Sequence, residues 1–153
     1  MSQNPAPTPR RWGRAALAAT LTLATLDLLW LGVVARPFYD AALGPLKRDP
    51  VHVPAAVAFY VFYIAAVLRG AVAPAASVRD AARRGAAMGL FAYATYELTN
   101  WAVLRDWPAV LVPVDILWGV LLTAAAAAAA CAASGRTAEP QNESSQRRNS
   151  AGK

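Results

Sequence analysis

Three acidic residues stand inside long apolar stretches, and their neighbours suggest what they do there. They are Asp27, Glu97 and Asp115. Tyr93, Glu97 and Asn100 follow at i, i+4 and i+7, one stripe of a helix, with Tyr96 flanking it and Thr99 adding a hydroxyl. Asp27 and Trp30 are spaced i, i+3, and Asp115 and Trp118 repeat that spacing. A duplicated two-helix unit would pair the first apolar stretch with the third rather than the fourth, so no internal repeat is inferred from the shared spacing. Tyr60 and Tyr63 in the second stretch offer hydroxyls to the same layer. Carboxyl groups withdrawn from water with no fixed cation take up protons and titrate as a group. Such a cluster suits proton relay, or recognition of a small cationic or hydrogen-bonding ligand. With Asp27 or Glu97 as general acid/base it suits a membrane-embedded enzyme or an accessory to lipid modification. The structural alternative is a set of polar contacts that tie helices together, for instance in a partner of another membrane protein.

Other chemistries are poorly supplied. The sole histidine, His52, lies in a connecting segment beside Pro54 and reads as a loop residue. One histidine cannot ligate a haem on both faces, and no His/Cys set suits zinc. Ser77 and Ser134 only flank the apolar stretches, which leaves a Ser–His–Asp arrangement unsupported, and no Gly-rich phosphate loop is present. The three carboxylates lack the ligand spacing of a divalent-metal site. No metal and no cofactor is expected. Cys131 has no partner for an intrachain disulfide.

The elements that must position these acids are membrane-spanning helices. Hydrophobic residues make up 57% of the 153 and charged residues 16%, against roughly 45–50% and about 25% in ordinary soluble domains. Residues 15–35, 54–78, 85–104 and 107–135 contain only four charges, Asp27, Arg69, Glu97 and Asp115. A soluble domain cannot hide four such segments, because each needs a polar face. A bilayer core takes roughly 20 helical residues, and the backbone there must satisfy its own hydrogen bonds. Strand alternation is absent, and the run Ala124 to Ala130 favours helix. The expected fold is therefore an all-α integral membrane four-helix bundle, with helices at about 14–35, 54–73, 80–104 and 109–133. A polar N-terminal tail (1–13) and a disordered C-terminal tail (134–153) flank it. A signal peptide is a poor account of the first segment, which is too long and carries Asp27 and Trp30. Residues 36–53 read as a loop with turns at Gly44-Pro45 and Asp49-Pro50. Trp101 and Trp107 suit an interfacial aromatic belt. Gly85 and Gly89, four apart, permit close helix packing.

The charges set the orientation. Eleven of the fifteen Lys and Arg residues fall on the side that holds both tails and the second connection, and Arg36, Lys47, Arg48 and Arg105 fall on the other. The richer side faces the cytoplasm, so both termini are expected there. The net charge of +6 then records membrane orientation and not nucleic-acid binding. On this orientation Asp27, Glu97 and Asp115 lie about 3, 4 and 9 Å outward of the middle of their helices, all in the outer half.

Three motifs carry a family resemblance over roughly residues 14–133. They are Leu26-Asp27-Leu28-Leu29-Trp30-Leu31-Gly32 followed by Phe38-Tyr39, then Phe91-Ala92-Tyr93-Ala94-Thr95-Tyr96-Glu97-Leu98-Thr99-Asn100, then Asp115-Ile116-Leu117-Trp118-Gly119. In these the chain resembles the predicted bacterial membrane proteins grouped as domain of unknown function 2177. The family pattern often has Asp where this chain has Glu97, which keeps the acid and lengthens its reach by a methylene. The resemblance implies a four-helix protein of the bacterial inner membrane and supplies no activity. The favoured reading is a small binding or proton-coupled transport module with an acidic cavity in the outer half. Its expected partners are the lipid bilayer, a small cationic or hydrogen-bonding ligand and, because four helices make a thin wall, a second copy in a homodimer. Labelling of single-cysteine variants, after Cys131 is replaced, tests the orientation. A cysteine at position 44 should react with an impermeant outside reagent while one at 145 is protected; the reverse pattern overturns it.

Overall fold

The computed structural model describes residues 9–135 apart from Asp49. The fold is all-α, with five helices: α1 (Pro9–Leu29), α2 (Arg36–Leu43), α3 (Val53–Ala66), α4 (Val78–Val103) and α5 (Leu111–Ala133). Two of them continue as π-helical turns, α1 through Trp30–Val34 and α3 through Val67–Val72. In each, a backbone bond spans five residues: Ala35 N–H donates to the Trp30 carbonyl at 2.7 Å, and Ala73 N–H to the Leu68 carbonyl at 2.8 Å.

Among the described residues, three helices are long and apolar enough to cross a membrane: Pro9–Val34, Val53–Val72 and Leu111–Ala133. Helix α4 is as long, but Arg79, Asp80, Arg83 and Arg84 crowd its first two turns. That end is built as a helix start. Ser77 Oγ accepts from Asp80 N–H at 3.1 Å, Asp80 Oδ2 accepts from Ala76 N–H at 3.0 Å, and Arg84 Nε donates to Asp80 at 3.1 Å. The first two bonds satisfy backbone donors that the helix itself cannot, and the Arg84 ion pair holds Asp80 in place. His52 does the same for α3, its Nδ1 accepting from Ala55 N–H at 3.3 Å.

The segment 36–53, read above as loop, contains a helix. Pro37 sits in the first turn of α2, and Phe38, Tyr39, Ala42 and Leu43 pack together on Ala35 and Leu111. An eight-residue helix gives too short a periodic signal to compete with the turn residues that follow it. Gly44 ends it at φ +47°, a conformation that favours glycine. On the polar side Arg36 and Lys47 both pair with Asp40. The Lys47 ammonium holds the Asp40 carboxyl below its ordinary range. At the amino end, Pro9 to Gly13, expected as tail, already form the first turns of α1. The expected disorder of the C-terminal tail falls, from residue 136 onward, outside the described residues.

The core is layered along the bundle. At the end that holds both ends of the described residues, Ala15, Ala19, Val67, Ala71, Ala81, Ala127, Ala130 and Cys131 form a layer of small side chains. Leu23, Leu122 and Ala126 fill the middle, with Tyr60, Tyr63 and Trp118 against them. Ala35, Tyr39 and Leu111 close the opposite, loop-bearing end, with Trp30 and Phe38 packed alongside.

The closest approach in the bundle joins α4 to α5. A Cβ at Gly85 would lie 2.6 Å from the Thr123 carbonyl oxygen, one at Gly89 would meet the Gly119 carbonyl oxygen, and one at Gly119 would enter the Tyr93 ring. Only residues without side chains permit this contact. Gly89→Leu should therefore destabilise the protein by about 1–3 kcal/mol in reversible denaturation, the range of core overpacking. Gly13→Ala, which lies in α1 and meets nothing within 4 Å, should not lower the midpoint and should raise it slightly, since Ala favours the helix by about 0.5–1 kcal/mol. Equal midpoints for both variants would contradict the packing.

Candidate functional site

Asp27 is held from two other helices. Its side chain is 6% exposed. The Tyr60 hydroxyl of α3 donates to Oδ2 at 2.9 Å, and Trp118 Nε1 of α5 donates to Oδ1 at 3.1 Å. Both oxygens thus have neutral donors, which is how a carboxyl is accommodated away from water.

Glu97 and Asp115 form a second node nearer the loop end. Glu97 has no exposed surface. Trp107, in the turn between α4 and α5, donates its Nε1 proton to Glu97 Oε2 at 2.9 Å. No donor among the described residues reaches Glu97 Oε1. Asp115 lies within hydrogen-bonding reach of Glu97. The Tyr39 hydroxyl of α2 donates to Asp115 Oδ1 and lies 3.4 Å from Trp30 Nε1. Tyr39 is itself only 9% exposed, so α2 inserts a hydroxyl into the bundle.

A tryptophan pair connects the two nodes. Trp30 and Trp118 stack with ring centroids 4.5 Å apart and 10° between planes. The two Asp-x-x-Trp segments lie side by side on α1 and α5, and each tryptophan serves the other segment's acid. Trp118 reaches Asp27 directly; Trp30 reaches Asp115 through Tyr39. The repeat noted in sequence is thus a reciprocal contact between two helices.

The remaining sequence candidates are distributed around this line. Tyr63 shares a 2.7 Å hydrogen bond with Thr123 Oγ1, which in turn donates to the Gly119 carbonyl at 2.7 Å. Tyr93 lies across Gly119 and meets Tyr63 edge to face at 6.5 Å. Tyr96 turns its ring outward against Trp107 at 5.7 Å, and Asn100 adjoins its hydroxyl. The structure thus brings Asp27, Tyr60, Trp118 and Trp30 into one chain, pairs Glu97 with Asp115, and leaves Tyr96 and Asn100 beside that pair. Gly85 and Gly89 stand at the α4–α5 contact. Sequence reasoning missed Tyr39 and the use of Trp107 as a donor. The only signal for Tyr39 was its place just after the first motif, and Trp107 read as an interfacial anchor.

Charge completes the description. Among the described residues the ion pairs involve Asp40 and Asp80, both at the surface. Among the described residues no lysine or arginine pairs with Asp27, Glu97 or Asp115, and no three of His, Cys, Asp and Glu converge as a metal-binding set. Beside the acids, between α3 and α4, a half-open groove of about 390 Å³ is lined by Phe59, Tyr63, Ala92, Tyr93 and Tyr96.

In comparison with known families, the chain matches the family described as "Predicted membrane protein (DUF2177)" over residues 12–132. No curated protein and no solved structure matches the chain.

The Tyr39–Asp115 contact ties α2 to α5. Tyr39→Phe should lower stability by about 1.5–3 kcal/mol, the range for a hydrogen bond to a charged group. In a double-mutant cycle with Asp115→Asn, the two losses should fall short of additivity by about 1 kcal/mol. Full additivity would show that the hydroxyl and the carboxyl do not act on each other.

Proposed function

This chain belongs to the DUF2177 family of predicted membrane proteins, and we propose that it is a small binding module whose Glu97–Asp115 carboxyl pair takes up a proton. The observation that carries this reading is Glu97 Oε1, an acceptor without a donor in a side chain with no exposed surface. A fully buried carboxyl facing a half-buried one cannot readily be charged at the same time as its neighbour, and one proton shared between them supplies the missing donor. Polar glue alone would leave no acceptor unmatched. Asp27 fits that description, with a donor on each oxygen. We therefore assign Asp27 to structure and the pair to proton binding.

The surroundings suit that role. Trp107 and Tyr39 hold the pair from its other oxygens without neutralising it. A proton needs no cavity, whereas an acid/base role in lipid modification would need substrate access to a carboxyl that has no exposed surface. The proton-binding reading therefore stands ahead of the enzymatic one.

The proposed membrane arrangement has four spans. The stretch of α4 from Gly85 to Val103 rises about 28 Å, close to the thickness of a bilayer core. The two ends of the described chain lie together, since Arg14 approaches Gly135. The excess of arginines at that end would place it in the cytoplasm of a bacterial inner membrane and the carboxyl pair in the outer half. The many exposed leucine, valine and phenylalanine side chains suit contact with lipid or with a second copy.

Infrared spectroscopy of the purified protein at neutral pH tests the shared proton. The carbonyl stretch of a neutral carboxyl should be present and should be lost in Glu97→Gln or Asp115→Asn, while Asp27→Asn keeps it. A band that persists in both pair variants contradicts the reading.

A further inference from the structure

We infer that the aromatic groove between α3 and α4 binds a lipophilic organic cation, of the quaternary ammonium or phosphonium class, that enters from the bilayer. Four of the five lining residues are aromatic. Phe59 and Tyr63 stack at 5.3 Å, and Tyr63 meets Tyr93 edge to face. Ring faces carry negative potential and attract cations that shed water readily, as bulky organic cations do. The volume, about 390 Å³, lies in the range of small-molecule sites.

The field behind the rings has the same sign. Asp27 and Asp115 act electrostatically on the Tyr93 hydroxyl, and Glu97 and Asp115 act on that of Tyr96. No lysine or arginine pairs with these acids among the described residues. The groove therefore combines an apolar aromatic lining with uncompensated acidic charge behind its wall. A neutral lipid chain would use only the first of these features, and a hydrated metal ion only the second. A lipophilic cation uses both.

The direction of entry follows from exposure. Phe59 and Tyr96 are 47% and 55% exposed, and in the proposed four-span arrangement both lie within the bilayer, so the groove would open to lipid. The ligand class deepens the proton-binding reading and rests on it in one respect, the response of the carboxyl pair. A cation in the groove favours the doubly charged pair, so its shared proton should pass to solvent as the ligand binds.

The full-length protein in a non-ionic maltoside detergent provides the test. Calorimetric titration with tetraphenylphosphonium should give saturable binding, at least tenfold tighter than that of neutral triphenylphosphine oxide. Phe59→Leu and Tyr96→Leu should each weaken the cation about fivefold, as the loss of one cation–π contact predicts, with melting temperature monitored. Val57→Leu, exposed on the same helix outside the lining, should bind as the parent does. Equal affinity for the oxide, or no saturable binding, overturns the proposal, and the parent protein alone decides this if a variant fails to fold. Proton release, read in weakly buffered solution, separates the two readings. Cation-selective binding with release supports both. Selective binding without release supports the groove and contradicts its link to the carboxyl pair.

Discussion

Carboxyl groups at the depth of an apolar helix bundle are withdrawn from bulk water, and among the described residues no cation pairs with them. They must draw donors from the protein or keep a proton. That demand accounts for the polar and aromatic composition of the middle and the loop end of the bundle. Tyr60, Trp118, Tyr39 and Trp107 come from three helices and a turn, and each donates to one of the three acids. The stacked Trp30 and Trp118 then lie where the two donor chains meet. Asp27 has its demand met in full, and Glu97 does not. On the proposed reading, the difference between a satisfied acid and an orphaned one is what would separate structural polar contacts from a site that takes up a proton.

The two ends of the bundle solve different packing problems. At the termini end, alanines and glycines let backbones approach until a single Cβ would collide, leaving little freedom for rearrangement. At the loop end, large aromatic rings and hydrogen bonds replace close backbone contact. The π-helical turn at Trp30–Val34 lies at the loop end of α1 and leads directly into α2. Such turns recur at functional sites because they re-aim side chains within a continuous helix. Helix α2 then covers the carboxyl pair from the loop side, with Tyr39 as its anchor. A firm base and a hydrogen-bonded cover suit a site whose charge changes.

Much of this was legible in the sequence, for physical reasons. Long uncharged stretches and three acids within them follow from composition alone. The placement of Asp27, Glu97 and Asp115 toward one end follows from counting rise per residue along antiparallel helices. The glycine pair Gly85 and Gly89 marks a close contact because nothing else tolerates one. What was not legible depends on tertiary geometry. Helix α2 is too short to declare itself by periodicity, so Tyr39 was read as loop. Trp107 is four residues from the start of α5, and nothing in its spacing says that it turns back to Glu97. The reciprocal use of the two Asp-x-x-Trp segments appears only once α1 and α5 lie together. The pairing of Glu97 with Asp115, apart from Asp27, likewise needed the fold.

The central claim is that Glu97 and Asp115 titrate as one pair and Asp27 does not belong to it. Carbon-13 resonances of the side-chain carboxyls, followed against pH in the labelled protein, test this most directly. The account predicts that Glu97 and Asp115 each show the same two-step titration, and that neutralising either one collapses the other to a single step. Asp27 should follow its own curve throughout. Independent single-step curves for Glu97 and Asp115, unchanged when the other is replaced, would contradict the account.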